Sequence, residues 1–549
     1  MLFNYKYSGS SKVESNASST SMSFAPDTLR EPTFFRGRLG KNIPFREAIS
    51  ALHDVVISDL RYKKPEQDKS EYLEWAKQQE QQYLEEMAMQ SEGVQQRAKL
   101  VRKELQDIYT NQSKLLAPYN KARNEWRQYV WKTDKDLLWV LDPVITVHPD
   151  EIFFECFSVD ESSYGRLGCS YEVFKDINEF ECGTTNIDYS DALYKEFQKI
   201  RNYKETDFVV DPSGFEVTTE QEDLFKELKI DLPDSWVRGF LQVSSAMTLD
   251  AVEFDLHPMD VYNFCFILKR NKEKIGPRSI RFKLKPGEPV KAVFEPWNYE
   301  VVCPRSIYKG SKETEIRIWG RRRLMILERL IPVARRFKVR LLGTGLPSFF
   351  IADLGDMNFT LGLSGWTKND WSRAGNFDLM APRADVDLFT KTKIFESLKE
   401  DWVSTAEDLS KKMNLDQAII KGALSSYTQA GSVMYDMNKQ KYRVRELSRE
   451  PLPYEQLRFS NEREQNANEL LRQNKVTATI QTLEDKKLKI NGQVNDKKKT
   501  FETELVIDND QRLVQASCQC TFFKKNKLYQ GPCEHILATR LQFSKRTKL

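Results

Sequence analysis

Cysteine and histidine are scarce in this chain, whose 549 residues contain eight cysteines and four histidines. Eight cysteines are too few to build a disulfide framework in a chain of this length. No run of about 18 apolar residues occurs, so no transmembrane helix is expected. The first residues, MLFNYKYSGSSKVESNASSTSMSF, also lack the basic and apolar regions of a secretory signal. These absences predict a cytoplasmic protein with no membrane contact, whose thiols are free or bound to metal.

An excess of charge of one sign is lacking as well. Lys and Arg together number 84 and Asp and Glu together 80, which gives a formal net charge of +4 at pH 7. This balance creates no long-range attraction to nucleic acid, so any such contact has to come from a local basic patch. The length is that of several folded units, and 40% hydrophobic residues are ample for their cores.

The N-terminal part divides into two predicted regions. Residues 1–42 are predicted to be a flexible segment, because the Ser-rich stretch at 8–24 shows no apolar periodicity. Residues 43–135 are predicted to be helical, since apolar side chains recur at helical spacing from residue 45 onward. Glu, Gln and Lys dominate residues 66–131, where long helices with a break at Pro118 are the simplest interpretation.

Residues 136–380 are predicted to be a strand-rich mixed α/β region. Short apolar alternations such as LWVLDPVITVHPDEIFFECF and IRFKLKPGEPVKAVFEPWNYEVV are separated by turn signals, and Pro286-Gly287 predicts a hairpin. RRRLMILERLIPVARRF at 321–337 is a candidate amphipathic helix with a kink at Pro332. Three of its arginines recur at seven-residue steps and would share one helix face: Arg322, Arg329, Arg336. The favoured interpretation is a solvated helix surface, and the alternative is a surface that binds anions.

Residues 385–447 predict a winged-helix-like module. Three amphipathic helices are followed by VMYDMNKQKYRVREL, which alternates across a central turn like a two-stranded ribbon. The third helix reads DNA in many such modules. Here its only cation is Lys421, so protein docking or a scaffold role is favoured over direct DNA reading.

The scarce soft ligands gather in residues 474–545. Four alternating runs, KVTATIQ, KLKINGQV, TFETELVID and RLVQASCQC, predict strands. Cys518 and Cys520 lie at i and i+2 and therefore point to the same face of the last strand. Twelve residues later, Cys533 and His535 follow Pro532 and precede ILATRLQF, which predicts the start of a helix.

Three thiolates and one imidazole form a tetrahedral donor set that suits zinc best among cellular metals. The ligand set is Cys518, Cys520, Cys533 and His535. No further Cys or His lies within the last 60 residues, so the site is predicted to be closed and to hold one structural Zn²⁺.

The C-x-C, twelve residues, C-x-H pattern, placed after alternating strands and before a short helix, resembles the SWIM-type zinc finger over residues 474–545. Other segments resemble the bacterial SWIM proteins found beside MoxR-type AAA+ ATPases and von Willebrand factor A domain proteins: DSWVRGFLQVSSA at 234–246, FEPWNYEVVCP at 294–304 and YRVRELSREPLP at 442–453. The resemblance implies a bacterial cytoplasmic protein with an assembly-linked role. The expected fold is α+β multidomain, with a helical N-terminal part, a strand-rich middle, the winged-helix-like module and a C-terminal ββα SWIM zinc finger.

The resemblance implies contacts with nucleic acid or with protein. The finger carries a local excess of cations that predicts contacts with DNA, RNA or a protein partner: Lys524, Lys525, Lys527, Arg540, Lys545 and Arg546. Phe522, Phe523 and Tyr529 lie among them and are open to two interpretations. They stack on unpaired bases, or they cover the zinc site while the lysines only solubilise the tail.

The favoured function is therefore that of a zinc-binding interaction protein without enzymatic activity. Two alternatives remain at this stage. One is a nucleic-acid-processing enzyme whose active site lies in the middle region, with Asp353 and Asp356 as candidate residues. The other is a pure protein adaptor for an ATPase partner.

Overall fold

The computed structural model divides the chain into two compact units, residues 1–59 with 141–549 and residues 60–140. The helices and strands named below belong to the first unit. The described residues are 12–15, 19–24, 33–58, 103, 143–177, 180–186, 194, 197–203, 205–210, 234–272, 278–365, 370–372, 377–382, 386–447, 462–482, 487–496, 499–508 and 512–546.

Strands are the more numerous elements. In chain order they are β1 (Lys12–Ser15), β2 (Ser19–Phe24), β3 (Phe35–Leu39), β4 (Val144–Val147), β5 (Glu151–Phe157), β6 (Ser163–Ser170), β7 (Phe174–Lys175), β8 (Gly183–Asn186), β9 (Glu205–Val210), β10 (Val252–Leu256), β11 (Ser279–Leu284), β12 (Pro289–Phe294), β13 (Tyr299–Ile307), β14 (Thr314–Trp319), β15 (Arg336–Leu341), β16 (Ser348–Asp353), β17 (Met357–Leu363), β18 (Val403–Ser404), β19 (Val433–Asp436), β20 (Lys441–Val444), β21 (Val476–Thr482), β22 (Leu488–Asp496), β23 (Lys499–Ile507) and β24 (Leu513–Cys518).

The α-helices are α1 (Asn42–Val56), α2 (Asp234–Met247), α3 (Pro258–Arg270), α4 (Leu388–Asp401), α5 (Ala406–Met413), α6 (Gln417–Gln429), α7 (Glu462–Arg472), α8 (Thr521–Asn526) and α9 (Glu534–Arg546). Short 3-10 helices span Tyr171–Val173, Arg321–Leu330 and Phe377–Leu379. Among the described helices, none is long and apolar enough to cross a membrane. The mixed helix and strand fold with several sheets, predicted from the sequence, is confirmed.

An eight-stranded antiparallel sheet in the order β10-β15-β16-β17-β6-β5-β4-β8 forms the centre of the first unit. Its middle strands β5 and β17 are buried along their whole length, including polar side chains such as Glu155 and Thr360. One face packs on α1, where Cys156 contacts Leu52. The other face packs on α2, where the rings of Phe157 and Phe240 lie 4.7 Å apart.

A second sheet has the order β1-β2-β9-β3-β7, and it corrects the prediction for residues 12–15 and 19–24 of the Ser-rich stretch. β1 and β2 pair antiparallel, and β2 runs parallel to β9 with Ser19 opposite Glu205. The prediction of a flexible segment was wrong for these residues because backbone hydrogen bonds form a sheet without any apolar periodicity. The predicted long helices at 66–131 lie outside the described residues, apart from Lys103, which is helical.

A third sheet, β13-β12-β11-β14, carries α3 on one face, where Phe264 packs between Phe282 and Phe294. The hairpin predicted at Pro286-Gly287 joins β11 to β12, and Gly287 has a φ of 78°, as a tight turn requires. The amphipathic α-helix predicted at 321–337 is wrong. A 3-10 helix ends at Leu330 and β15 begins at Arg336, so the three arginines do not share a helix face.

The helices α4, α5 and α6, together with the three-stranded sheet β18-β20-β19, form what we call the three-helix module. Its helices begin at Asp or Thr caps, and the Thr405 side chain accepts the Asp408 amide. The module has an apolar core of its own, formed by residues such as Ile394, Leu409 and Leu424. These elements lie where the sequence predicted them, while the winged-helix assignment itself stays a prediction.

Buried ion pairs, which we call the anchor network, join the three-helix module to the central sheet. Arg445, the residue that follows β20, donates two hydrogen bonds to Glu155 of β5, at 2.9 and 3.0 Å, and both side chains are at most 1% exposed. Arg443 of β20 contacts Asp150, the residue before β5, at 2.7 Å, and it also contacts Asp436 of its own module at 3.1 Å. β20 is therefore fixed against the sheet and does not project into solvent as a free wing.

His148 belongs to the same contact. Its Nε2 donates to the carbonyl of Val444 at 2.6 Å, and its ring lies 5.5 Å from that of Trp402. Burial, and then the charge of Arg443, lower the pKa of His148 to about 4. The imidazole is consequently neutral at pH 7 and acts as a hydrogen-bond donor inside the contact.

The strands β21 to β24 form an antiparallel meander, and α9 covers one face of it. We call β21–β24 with α8 and α9 the finger. All four of its predicted strands are present, and α8 is an additional short helix that the sequence did not predict. The finger is joined to the rest of the unit by main-chain contacts, such as the Leu513 amide donating to the carbonyl of Met380 at 3.2 Å.

Candidate metal centre

Four side chains from two parts of the finger converge on one point. Cys518 ends β24, Cys520 precedes α8, Cys533 precedes α9, and His535 is the second residue of α9. One ligand atom from each lies within 4.8 Å of all the others. The four residues are 7, 5, 1 and 3% exposed, in that order. The structure therefore brings together every ligand that the spacing predicted.

The first two ligands are positioned by the bend at which the last strand ends. Gln519 points to solvent between Cys518 and Cys520, so both sulfurs face the same side. The amide of Cys520 donates to Cys518 Sγ at 3.4 Å, and the amide of Phe523 donates to Cys520 Sγ at 3.3 Å. Cys520 thus acts as the N-cap of α8, and backbone amides favour the thiolate forms that bind metal.

The other two ligands are positioned by the first turn of α9. Cys533 accepts the Leu537 amide through its carbonyl at 3.0 Å, which starts the helix immediately after Pro532. His535 Nδ1 lies 3.9 Å from Cys518 Sγ. The helix start therefore directs one sulfur and one nitrogen toward the bend at the end of β24.

This donor set fits a tetrahedral zinc ion. Zn–S bonds of about 2.3 Å imply sulfur–sulfur separations of about 3.8 Å, which fall within the 4.8 Å that contains all four ligand atoms. Hydrogen bonds with Cys518 and Cys533 lower the pKa of Cys520, while contacts with Cys518 and Cys520 raise the pKa of Cys533. Because all four ligand residues are buried, no coordination position faces solvent. The arrangement is that of a structural Zn²⁺ held by Cys518, Cys520, Cys533 and His535.

The predicted contact cations fall into three groups. Lys524, Lys525 and Lys527 are exposed on and just after α8. The prediction for Arg540 is wrong, because its guanidinium is 3% exposed and donates to the carbonyls of Leu379 and Ala381. It attaches the finger to the body and is not presented to a partner. Lys545 and Arg546 lie in the last turn of α9, and their side chains fall outside the described residues.

The aromatic residues near these lysines cover the finger. Phe523 is 4% exposed and packs in the main apolar core, which includes the cysteine ligands. The guanidinium of Arg463 lies 4.6 Å from the ring of Phe522. The ring of Tyr529 lies against Gly345, where an added Cβ would come within 2.6 Å of it. Stacking of these three rings on bases is therefore not supported, and the covering role is the better interpretation.

The third helix of the three-helix module, α6, is also largely covered. Its residues from Gly422 to Ser425 are buried, and Lys421 is half-buried. Within this helix only Gln417 is exposed, next to the cap residue Asp416. A helix that reads a DNA groove presents a row of exposed side chains. This geometry supports docking within the protein as the role of α6.

The side chains of Asp353 and Asp356 have different partners. Asp353 accepts from Arg336 Nε at 3.2 Å and from the Gly355 amide at 3.0 Å, while Asp356 lies 3.7 Å from Lys41 Nζ. Among the described residues, neither belongs to a group of three or more His, Cys, Asp or Glu whose ligand atoms lie within 4.8 Å. An enzymatic centre at these carboxylates stays an untested alternative.

Sequence reasoning missed two residues next to the metal centre. Asp496 approaches His535 from the end of β22, and Arg463 of α7 donates to the carbonyls of Gln530 and Pro532 at 3.0 Å. Both are far from the cysteines in sequence. The only local signal was the position of Asp496 at the end of an alternating run, which is equally typical of a turn.

Comparison with known proteins agrees with this geometry. Residues 505–539 match the family model of the SWIM zinc finger, and that range contains all four ligands. No curated protein matches the chain. Among solved structures, proliferating cellular nuclear antigen from Entamoeba histolytica matches with a TM-score of 0.29 and 11% identity, over 41% of this chain and 89% of that chain. The chain thus carries a SWIM-type zinc finger, a zinc-binding interaction module.

Proposed function

We propose that this chain is a binding protein without enzymatic activity, whose zinc finger presents the basic helix α8 to an acidic site on a protein partner. One observation carries the proposal. The four ligands are at most 7% exposed, which leaves the metal a structural role, while Lys524, Lys525 and Lys527 beside them are exposed. A catalytic zinc needs an open position for water. The proposed function therefore uses the finger's surface and not its metal.

A protein partner is favoured over nucleic acid because two usual means of base recognition are missing from the described surface. The rings beside the lysines pack inward, and α6 is covered by its neighbours. The remaining lysines offer charge without sequence readout. The resemblance of the sequence to SWIM proteins beside MoxR-type AAA+ ATPases and von Willebrand factor A domain proteins makes those two classes the partners to test, in a bacterial cytoplasm.

The experiment measures association of the full chain with each of those two partner proteins at about 50 and 500 mM salt. Replacing the three lysines together, Lys524→Gln, Lys525→Gln and Lys527→Gln, is expected to weaken association at least tenfold at low salt. The matched control replaces three lysines of the three-helix module, and we expect it to bind as the wild type does: Lys399→Gln, Lys411→Gln, Lys412→Gln.

Nucleic acid is tested in parallel by fluorescence anisotropy with single-stranded DNA, duplex DNA and RNA. Binding of one of them that is salt-dependent and lost in the α8 triple variant, without association of either protein, would replace the protein partner by nucleic acid. Association of the proteins that is unchanged in the triple variant would move the interface away from α8.

A further inference from the structure

The two nitrogens of the His535 ring have different surroundings. Nδ1 faces the three sulfurs, 3.9 Å from Cys518 Sγ. Nε2 points away from them, is buried, and has no hydrogen-bond partner among the described residues. A neutral imidazole that binds zinc through Nδ1 carries its proton on Nε2. That N–H needs an acceptor, because an unpaired buried donor costs about 1–3 kcal/mol.

The carboxylate of Asp496 approaches that nitrogen, with Oδ2 3.6 Å from His535 Nε2. The side chain of Asp496 is 17% exposed and that of His535 is 3% exposed, so the approach takes place largely away from water. The separation exceeds the usual hydrogen-bond distance of about 2.9 Å by less than an ångström. A small rotation of either side chain closes it.

The backbone holds both groups in place. Asp496 ends β22, where it pairs with Lys499, the first residue of β23. Phe501 of β23 packs on the His535 ring, with centroids 4.2 Å apart and planes inclined by 30°. The ring is thus held between Phe501 and the cysteines, with Nε2 near the end of β22. The pairing of β22 with β23 therefore places Asp496 beside the second nitrogen.

We propose that Asp496 is a positioning residue of the zinc centre, accepting the Nε2–H of His535 so that Nδ1 is held deprotonated and aimed at the metal. Carboxylates that accept from the second nitrogen of a metal-bound histidine fix its tautomer and orientation. Removal of such an acceptor lowers metal affinity about 10- to 100-fold. Asp496 is not a ligand itself, and this role is independent of the partner that the finger binds.

Glu534 is the competing acceptor. Its carboxylate also lies within 4.8 Å of His535 and Asp496 ligand atoms. It already accepts from Asn466 Nδ2 at 2.8 Å, and this contact is exposed to solvent. Both carboxylates belong to partly buried residues, but one that is already engaged by another donor is less available to a buried N–H. Glu534 therefore provides the matched control at the same site.

The test compares the full-length protein with Asp496→Asn and Glu534→Gln, two changes that keep side-chain shape. Zinc affinity is measured by competition with a chelator at pH 7.5. Asp496→Asn is expected to lose zinc affinity about 10- to 100-fold, and Glu534→Gln less than threefold. Equal affinity of Asp496→Asn and wild type overturns the proposal, and so does a larger loss in Glu534→Gln.

A second measurement begins with the wild-type protein and so does not depend on whether a variant folds. Four histidines make selective ¹⁵N-histidine labelling of the whole chain tractable. In the zinc-bound wild type, His535 is expected to carry its proton on Nε2, with exchange against water at least tenfold slower than for an exposed imidazole. In Asp496→Asn this protection is expected to fall, while Asp496→Glu recovers part of it. A proton on Nδ1, or an unprotected Nε2–H in the wild type, contradicts the proposal.

Discussion

The finger and the three-helix module both lie against the rest of the first unit, but different chemistry holds each of them there. The three cysteine ligands of the finger belong to the main apolar core, whose members include residues as far apart in the chain as Phe35 and Phe543. The three-helix module has a separate core and joins the body through the buried pair of Arg445 and Glu155. One region depends on a metal and apolar packing, and the other on paired charges.

This difference predicts which changes each region tolerates. A metal site contributes to the folding of the residues that it binds, so its loss unfolds a local segment. A buried ion pair contributes little when it is complete, but loss of one partner leaves a charge in a medium that solvates it poorly. Changes at the finger should therefore alter zinc content, and changes at the anchor network should alter stability at constant zinc content.

The largest expected effect is that of removing a zinc ligand. Cys533→Ser is expected to abolish stoichiometric zinc and the hydrogen-exchange protection of α8 and α9, because structural zinc contributes about 10–16 kcal/mol in small zinc-finger peptides. Elemental analysis and hydrogen exchange of the full chain measure this. The control is Cys303→Ser, a buried cysteine of β13 outside the cluster, which should keep its zinc. Retained zinc and protection in Cys533→Ser would contradict the assignment.

Breaking the anchor network comes next. Arg445→Met removes the cation from the buried carboxylate of Glu155, which still accepts from the hydroxyl of Tyr164 at 2.6 Å. This change is expected to destabilise the protein by about 3–5 kcal/mol. Denaturant unfolding measures the loss, and zinc content should not change. The double variant Arg445→Met with Glu155→Gln should recover most of the stability. A single variant as stable as the wild type would show that the pair does not anchor the module.

Acid pH offers a third way to separate the two regions. The folded pKa of His148, about 4, lies below the unfolded value of about 6.5, so unfolding takes up a proton between these pH values. The resulting stability is complete above about pH 6.5 and is lost as the pH falls toward 4. The expected loss is on the order of 3 kcal/mol.

The control for this pH effect is His148→Gln, whose amide can still donate to Val444 but does not titrate in this range. Both proteins share the zinc centre, so the difference between their unfolding curves at pH 7 and pH 4.5 isolates His148. A wild-type pH dependence identical to that of His148→Gln would mean that the imidazole is not held neutral by burial.

A smaller effect is expected where the finger meets the body. Arg540→Met removes the donors to the carbonyls of Leu379 and Ala381 and is expected to cost about 2 kcal/mol, with zinc retained. Thermal unfolding measures the change. Unchanged thermal stability of Arg540→Met would mean that Arg540 does not attach the finger to the body, and it would then be grouped with the exposed cations as the sequence predicted.

The sequence predicted the metal centre well because its information is local. Cys518 and Cys520 share a strand face, and Cys533 and His535 share a helix turn, so spacing alone placed them. The four strands of the finger followed from their alternation. The anchor network could not be predicted in this way, since Arg445 and Glu155 are 290 residues apart and neither stands out in its own segment.

The same limit explains the incorrect predictions. Arg540 and Lys525 look alike in sequence, yet α9 turns Arg540 inward while α8 leaves Lys525 exposed. Phe523 was open to two interpretations because an aromatic ring among lysines fits a buried or an exposed place equally well. Burial depends on the element that packs above a residue, and that element is distant in the chain.

The smallest expected effect on stability sharpens the comparison inside the finger itself. Replacing Lys524, Lys525 and Lys527 by Gln removes three exposed charges and is expected to change the free energy of unfolding by less than about 1 kcal/mol, because surface substitutions away from caps and cores are nearly neutral. Zinc content should stay stoichiometric, since the amide of Phe523, not these side chains, supports Cys520. Thermal unfolding and elemental analysis of the triple variant measure both quantities. Loss of zinc in this variant would mean that the lysines stabilise the thiolates, and weakened partner binding could then no longer be attributed to a surface contact.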